Sequence, residues 1–315
     1  MCENQPESAP RATPPPPVAG RPRPVATISV DLDPVDVHLR GYGHFGIPPD
    51  PLVHDRALGR LLELFSRHSV PATFFVLARE VRAETSRVHI IRDAGHEIAS
   101  HGIDHPASMA ALPYEVVRIE LEESRRRLEA VTGRRVVGFR APDWSVGRRV
   151  AAALAETGYR YDASLMPTPA LLAGRLLLAV RARRPGDVVA LRPPPTLRRR
   201  PYRWLTASGS IVEFPMAVSP RLLIPLYHTI RPLLGDEAFQ RHLDGFVGRG
   251  EAFSYALHGV DALGLHEDGV DPRLRDHPGM RTSLDAKLEL LDRTVEAIAA
   301  RFTVRTFAER IGDGP

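Results

Sequence analysis

Ala26-Thr-Ile-Ser-Val-Asp-Leu-Asp33 is the stretch whose reading decides the fold of this 315-residue chain. Ala26–Val30 is apolar and β-branched, the composition of a buried strand. Asp31 and Asp33 then stand at its C-terminal end. Residues two apart on an extended chain point the same way, so both carboxylates can face one cleft. Further on, His101-Gly-Ile-Asp-His105 follows the apolar pair Ile98-Ala99 and offers two imidazoles on one helical turn or a tight loop. Pro106 limits how the chain continues. One Asp and two His form a three-ligand set that suits a divalent metal and leaves positions open for water and substrate. The other Asp is then free to act as a base on that water, while the metal polarises a carbonyl. Alone, each motif is weak, the more so in a chain with 13 His. Together, each at a strand end, they point to hydrolysis of an amide or ester.

Outward from this stretch, strand-like and helix-like segments alternate. Arg56–His68 carries Leu58, Leu61, Leu62 and Phe65 at helical period, and Ala72–Leu77 reads as a second buried strand. A helix is expected over Val81–Ala94, ending at Gly95, and a short strand over Glu97–Ser100. Pro113–Thr132 is the clearest helix, with Val117, Leu121 and Leu128 inward. Val136–Arg140 reads as a strand, Val146–Thr157 as a helix and Tyr159–Ser164 as extended. Ser208–Pro215 and Ala252–Leu257 are further strands, and Ser283–Ala300 is a final helix. Units of this length predict a single α/β domain over residues 25–315, an irregular parallel (β/α) barrel of about seven strands. The chemistry is then expected at the C-terminal strand ends, where Asp31, Asp33, His101, His105 and Arg140 fall. Pro167–Trp204 breaks the pattern as an apolar and Arg-rich insertion. Residues 1–24 read as a disordered Pro-rich tail.

Composition excludes several classes. The hydrophobic fraction of 43% and charged fraction of 25% are those of an ordinary soluble globular protein. All but one of the 42 basic residues are Arg, the exception being Lys287, and the net charge is only +4. That is the mark of a GC-rich coding bias rather than of a nucleic-acid surface, and aromatics at 6% leave no stacking platform. A lone cysteine, Cys2, excludes an intramolecular disulfide. No basic-then-apolar leader and no membrane-spanning run is legible, so a cytoplasmic location is expected.

The ordered motifs resemble those of the polysaccharide deacetylase superfamily (NodB homology, carbohydrate esterase family 4). Ser29-Val-Asp-Leu-Asp33 looks like its first motif, in a D-x-D form rather than the commoner adjacent D-D. Gly95-His-Glu-Ile-Ala-Ser-His-Gly-Ile-Asp-His105 is similar to the second and is the most specific stretch. Gly138-Phe-Arg-Ala-Pro-Asp-Trp144 looks like the third, and Ala256-Leu-His-Gly-Val-Asp261 like the last. The resemblance implies Asp33, His101 and His105 as ligands of a divalent metal, zinc or another ion, with Asp31 as general base. It implies that Arg140 pairs with Asp31 and that His258 is the general acid protonating the leaving nitrogen. Asp261 is a candidate for tuning His258, Asp143 and Trp144 for lining the cleft, and Asp162 for a further motif that matches poorly. His38, His44 and His96 read as loop or structural residues.

The reaction expected from these parts is removal of an N-acyl group, acetyl or formyl, from an amino sugar. The acceptor is a small glycoside, a lipid-linked sugar or a secondary metabolite. Pro167–Trp204 and Leu222–Leu234 read either as core or as a membrane-surface lip with Arg facing anionic headgroups. The lip would suit a polyprenyl-linked sugar at the inner face of the membrane. Two alternatives stand beside this reading: an allantoinase-like hydrolase of a non-sugar amide, and a non-catalytic carbohydrate- or lipid-binding module.

Overall fold

The computed structural model describes residues 22–81, 87–106, 108–170, 173 and 194–313. Strand β1 (Val25–Asp31) lies between β2 (Thr73–Val76) and β8 (Phe253–His258), parallel to both. From β2 the sheet continues through β3 (Glu97–Ser100), β4 (Gly138–Phe139), β5 (Tyr161–Asp162) and β7 (Gly209–Glu213). Seven parallel strands therefore make the run β7-β5-β4-β3-β2-β1-β8. β6 (Tyr202–Thr206) adds to β7 in antiparallel fashion, and β9 (Thr303–Val304) pairs the start of β1. The expected irregular parallel α/β barrel is borne out in open form: among the described residues the end strands β6 and β8 do not pair with each other.

Alternation along the strands sets up two faces. Ala26, Ile28, Val30, Phe74 and Val76 join the large core that also holds the helical residues Leu58, Leu61, Leu121, Leu154 and Ile298. The residues between them, Ser29, Asp31 and Phe75, point to the other side, where Phe75, Ala99, Tyr161, Phe214 and Phe307 form a smaller cluster. Site and helices thus lie on opposite faces, as period two requires. The helix Tyr114–Thr132 buries Val117, Leu121 and Leu128 and ends at Gly133, whose left-handed φ of 64° closes it.

Several boundaries differ from the sequence reading. The segment expected as a helix from Val81 starts instead with a 3₁₀ turn at Ala78–Glu80, and its regular part is Arg87–Asp93; residues 82–86 lie outside the described residues. Val35–Gly41 is a helix that the sequence did not announce, because Val35, Val37 and Leu39 alternate as in a strand. The end of the supposed insertion is corrected: Tyr202–Thr206 is a sheet strand hydrogen-bonded to Gly209–Glu213. Most of the apolar and Arg-rich stretch (171, 172 and 174–193) and residues 1–21 of the tail lie outside the described residues. No helix among the described residues is long and apolar enough to cross a membrane.

Candidate active site

Four strand ends, those of β8, β1, β3 and β4, deliver the predicted residues to one place. In register, Asp31 of β1 lies beside His258 of β8. The ladder extends one bond past each strand: Leu32 N–H donates to Phe75 O, His101 N–H to Val76 O and Arg140 N–H to Ser100 O. His101 and Arg140 are therefore held by backbone pairing just beyond the sheet, and Asp33 follows the paired Leu32, the usual place for ligand sites in parallel sheets.

Asp33, His101 and His105 converge, with one donor atom from each within 4.8 Å of the others. His101 Nε2 is 3.5 Å from Asp33 Oδ1, and His105 Nε2 is 3.8 Å from Asp33 Oδ2. His101 Nδ1 lies 2.8 Å from the Arg140 carbonyl. A carbonyl only accepts, so Nδ1 carries the proton and Nε2 presents its lone pair to the cluster. The His pair sits on a tight loop, not a helical turn, with φ of 87° at Gly102 and 50° at His105. Glu120 accepts the Ile103 N–H at 2.6 Å, and Arg79 clamps Asp104 at 2.5 Å and Asp36 at 2.8 Å. These bonds hold the loop that carries His105.

The electrostatics of this trio fit a cation. Burial pushes Asp33 well above the usual carboxylate range, and the charges of Asp31 and Asp143 add to it against Arg79 and Arg40. Burial also pulls His101 down to about 4 and His105 well below its ordinary value, so both rings are neutral donors at neutral pH. Asp33 Oδ1 is buried with no hydrogen-bond partner. A divalent ion held by these three residues would supply that partner and offset the carboxylate's burial.

Asp31 sits in the opposite setting. Burial alone would raise it, but the Arg140 guanidinium, His101 and His258 outweigh that and hold it below the usual range. Arg140 is fully buried; its Nη1 donates to Asp31 Oδ1 at 2.6 Å, Nη2 to Ser29 Oγ at 2.9 Å and Nε to Ala163 O at 3.0 Å. Its guanidinium stacks 4.1 Å over Phe75 and 5.0 Å from Trp144. His258 Nε2 faces Asp31 Oδ2 at 3.9 Å. Asp261 accepts the backbone N–H of His258 at 2.7 Å, so it grips this residue through the main chain. Buried Lys287 donates to Val260 O and Leu263 O and fixes the turn that follows. A Cβ at Gly259 would strike Val53, which explains the glycine after His258.

Asp143 and Trp144 both adopt left-handed backbone, with φ of 53° and 56°. They are half-buried at the edge of the cluster, where Asp143 acts on Asp33 and Trp144 packs near Tyr227, itself 6.3 Å from the His258 ring. Asp162 lies beneath the site: fully buried, it bonds Ser164 Oγ, which in turn accepts the Ala141 N–H at 2.7 Å. Across β5 and β7 it faces Glu213, and burial pushes Asp162 up to about 6. The sequence reading passed over Glu213, Tyr227, Asp36, Arg79 and the contact of His38 with His258. Glu213 in Ser-Ile-Val-Glu-Phe-Pro, an acid inside an apolar strand, was the one legible signal among them.

Comparisons with known proteins bear on the family and on the fold. A family model described as polysaccharide deacetylase matches residues 51–161, which include His101, His105 and Arg140. The peptidoglycan deacetylase of Helicobacter pylori is 33% identical over 143 residues, 44% of this chain and 48% of that one. A chitooligosaccharide deacetylase of Sinorhizobium fredii is 31% identical over 138 residues, 42% of this chain and 63% of that one. The chain thus spans about half the length of the first of these relatives and less than two thirds of the second. A solved Mycobacterium smegmatis protein, provisionally described as a polysaccharide deacetylase, shares the fold with a TM-score of 0.60 over 96% of this chain and 94% of that one, at 21% identity. The resemblance read from the four motifs is borne out. Asp31, Asp33 and His258 lie outside the matched segment, and the pairing of β1 with β2 and of β8 with β1 brings them to it.

Proposed function

We propose that this chain, built on the polysaccharide deacetylase fold, is a divalent-metal-dependent hydrolase that removes an N-acyl group from an amino sugar. One observation carries the reading: Arg140-paired Asp31 lies between the Asp33–His101–His105 trio and His258. A divalent ion such as zinc, held by Asp33, His101 and His105, would polarise the amide carbonyl and acidify the attacking water. Asp31, kept ionised by Arg140, takes a proton from that water. His258, as imidazolium, gives its Nε2 proton to the leaving nitrogen as the C–N bond breaks. The proton held by Asp31 then returns to His258 Nε2 across the 3.9 Å gap, which resets both groups. Trp144 and Tyr227 provide apolar faces for a sugar ring beside His258.

The acyl group is acetyl or formyl, and the acceptor is an amino sugar, free, polymeric or linked to a polyprenyl lipid at the inner face of the membrane. A cytoplasmic location goes with the lipid-linked acceptor. Product analysis on N-acetyl and N-formyl amino sugars, set against cyclic ureides, tests the substrate class. Free amine and acetate or formate from the sugars support the proposal; hydrolysis confined to the ureides rejects it in favour of an allantoinase-like activity. Bound metal with no turnover on either set supports a binding module instead.

A further inference from the structure

Three ring nitrogens on neighbouring histidines are buried without a hydrogen-bond partner: His258 Nδ1, His38 Nε2 and His277 Nε2. Buried polar atoms are nearly always paired, so three such atoms in adjoining rings need an account. The His38 ring meets His258 edge-on with centroids 5.6 Å apart, and His277 meets the other side of His38 at 5.1 Å. His277 is itself anchored, its Nδ1 lying 3.3 Å from the Tyr42 hydroxyl.

His258 needs support at Nδ1. To donate from Nε2 it must be an imidazolium, and then Nδ1 also carries a proton that requires an acceptor. Asp261 meets this residue at its backbone N–H, and Asp31 faces its Nε2. We infer that His38 is a positioning residue for His258, accepting the Nδ1–H through a small ring rotation or one bridging water, so that Nε2 stays aimed at Asp31 and the leaving nitrogen. A bridging water would find polar partners in the unpaired nitrogens of His258 and His38, and two is the lower end of the range for buried water.

His38 is suited to accept. Burial first, then His277, His258, His105 and Lys287, pull it well below its ordinary value, so it is neutral when His258 is charged. In the reaction the His258 Nε2–H bond breaks and an N–H bond forms on the leaving amine. The Nδ1 proton stays where it is, held between His258 and His38. The cost of an uncompensated imidazolium is what His38 removes.

The inference rests on the hydrolase reading above, and its test separates the two. His38→Phe and His38→Gln are prepared with zinc and assayed on an N-acetylglucosamine oligomer, with the ring nitrogens of His258 followed by ¹⁵N NMR. His38→Phe is expected to keep its metal and its KM while kcat falls by about 10- to 100-fold, less than the roughly 10²- to 10⁴-fold lost with a general acid itself, because His38 acts through His258. His38→Gln, whose amide oxygen can accept, should recover most of that loss. The His258 Nδ1–H signal should be protected in the wild type and in His38→Gln and lost in His38→Phe. Wild-type kcat and an unchanged Nδ1–H signal in His38→Phe would overturn the inference, as would equal losses in both variants. If the wild type turns over no amide, the hydrolase reading fails, and the NMR signal alone decides whether His38 positions His258.

Discussion

Asp31 and Asp33 are two residues apart, both buried, and pushed in opposite directions. Arg140, His101 and His258 hold Asp31 low, whereas Asp33, away from Arg140 and beside Asp31, is driven up. Neighbouring acids with divergent settings are how one site assigns two roles. Asp31→Asn keeps the shape and removes the proposed base, so metal content measured by plasma mass spectrometry should stay unchanged while kcat drops by about 10²- to 10⁴-fold. Normal turnover in that variant would take Asp31 out of the base role. Both acids were legible in the sequence because a strand followed by D-x-D places them on one side. The Arg140–Asp31 pair was implied by the resemblance, whereas the raised setting of Asp33 was not legible, since it comes from burial and from the charges of Asp31 and Asp143.

At the scale of elements, short connectors fix the chemistry more than the strands do. The β8 turn is pinned from behind by the chain's one lysine, whose ammonium bonds two carbonyls of the turn carrying His258. Lys287→Met leaves Val260 O and Leu263 O without that donor and should cost about 1–3 kcal/mol in urea unfolding, with a fall in kcat larger than any change in KM. Stability and kcat both at wild-type values would show that the turn holds itself. Gly138 is tied to Tyr161 in the same way: a Cβ at that position would land in the Tyr161 ring. Gly138→Ala should therefore lower the urea midpoint, by about 1–3 kcal/mol of overpacking. Strands and long helices could be read from periodicity, whereas Val35–Gly41 and the hairpin strand Tyr202–Thr206 could not. The first alternates like a strand, and the second hides in an Arg- and Pro-rich run until Gly209–Glu213 pairs with it.

For the whole molecule, the open parallel sheet gathers residues 31 to 258 into one cluster, a placement no local pattern announces. Its stability carries a signature of the buried pair under the site. Burial raises Asp162 to about 6, and burial together with the Asp162 charge drives Glu213 well above its ordinary value. A carboxyl raised in the fold binds its proton more tightly there than in the unfolded chain. Stability from Asp162 is thus present below the ordinary aspartate range and is lost as pH rises through about 6. Asp162→Asn removes that titration and can donate to Glu213, so its Tm should fall less than that of the wild type between acid and neutral pH. An unchanged slope would assign the pH dependence elsewhere.

The central claim is that four strand ends assemble a metal-dependent N-deacylase around Asp33, His101 and His105. Its most direct test is to measure bound zinc and free-amine release from an N-acylated amino sugar together, in the wild type and in Asp33→Ala. One ion per chain with turnover is expected in the wild type, and loss of both in Asp33→Ala. Undiminished amine release from metal-free Asp33→Ala would contradict it.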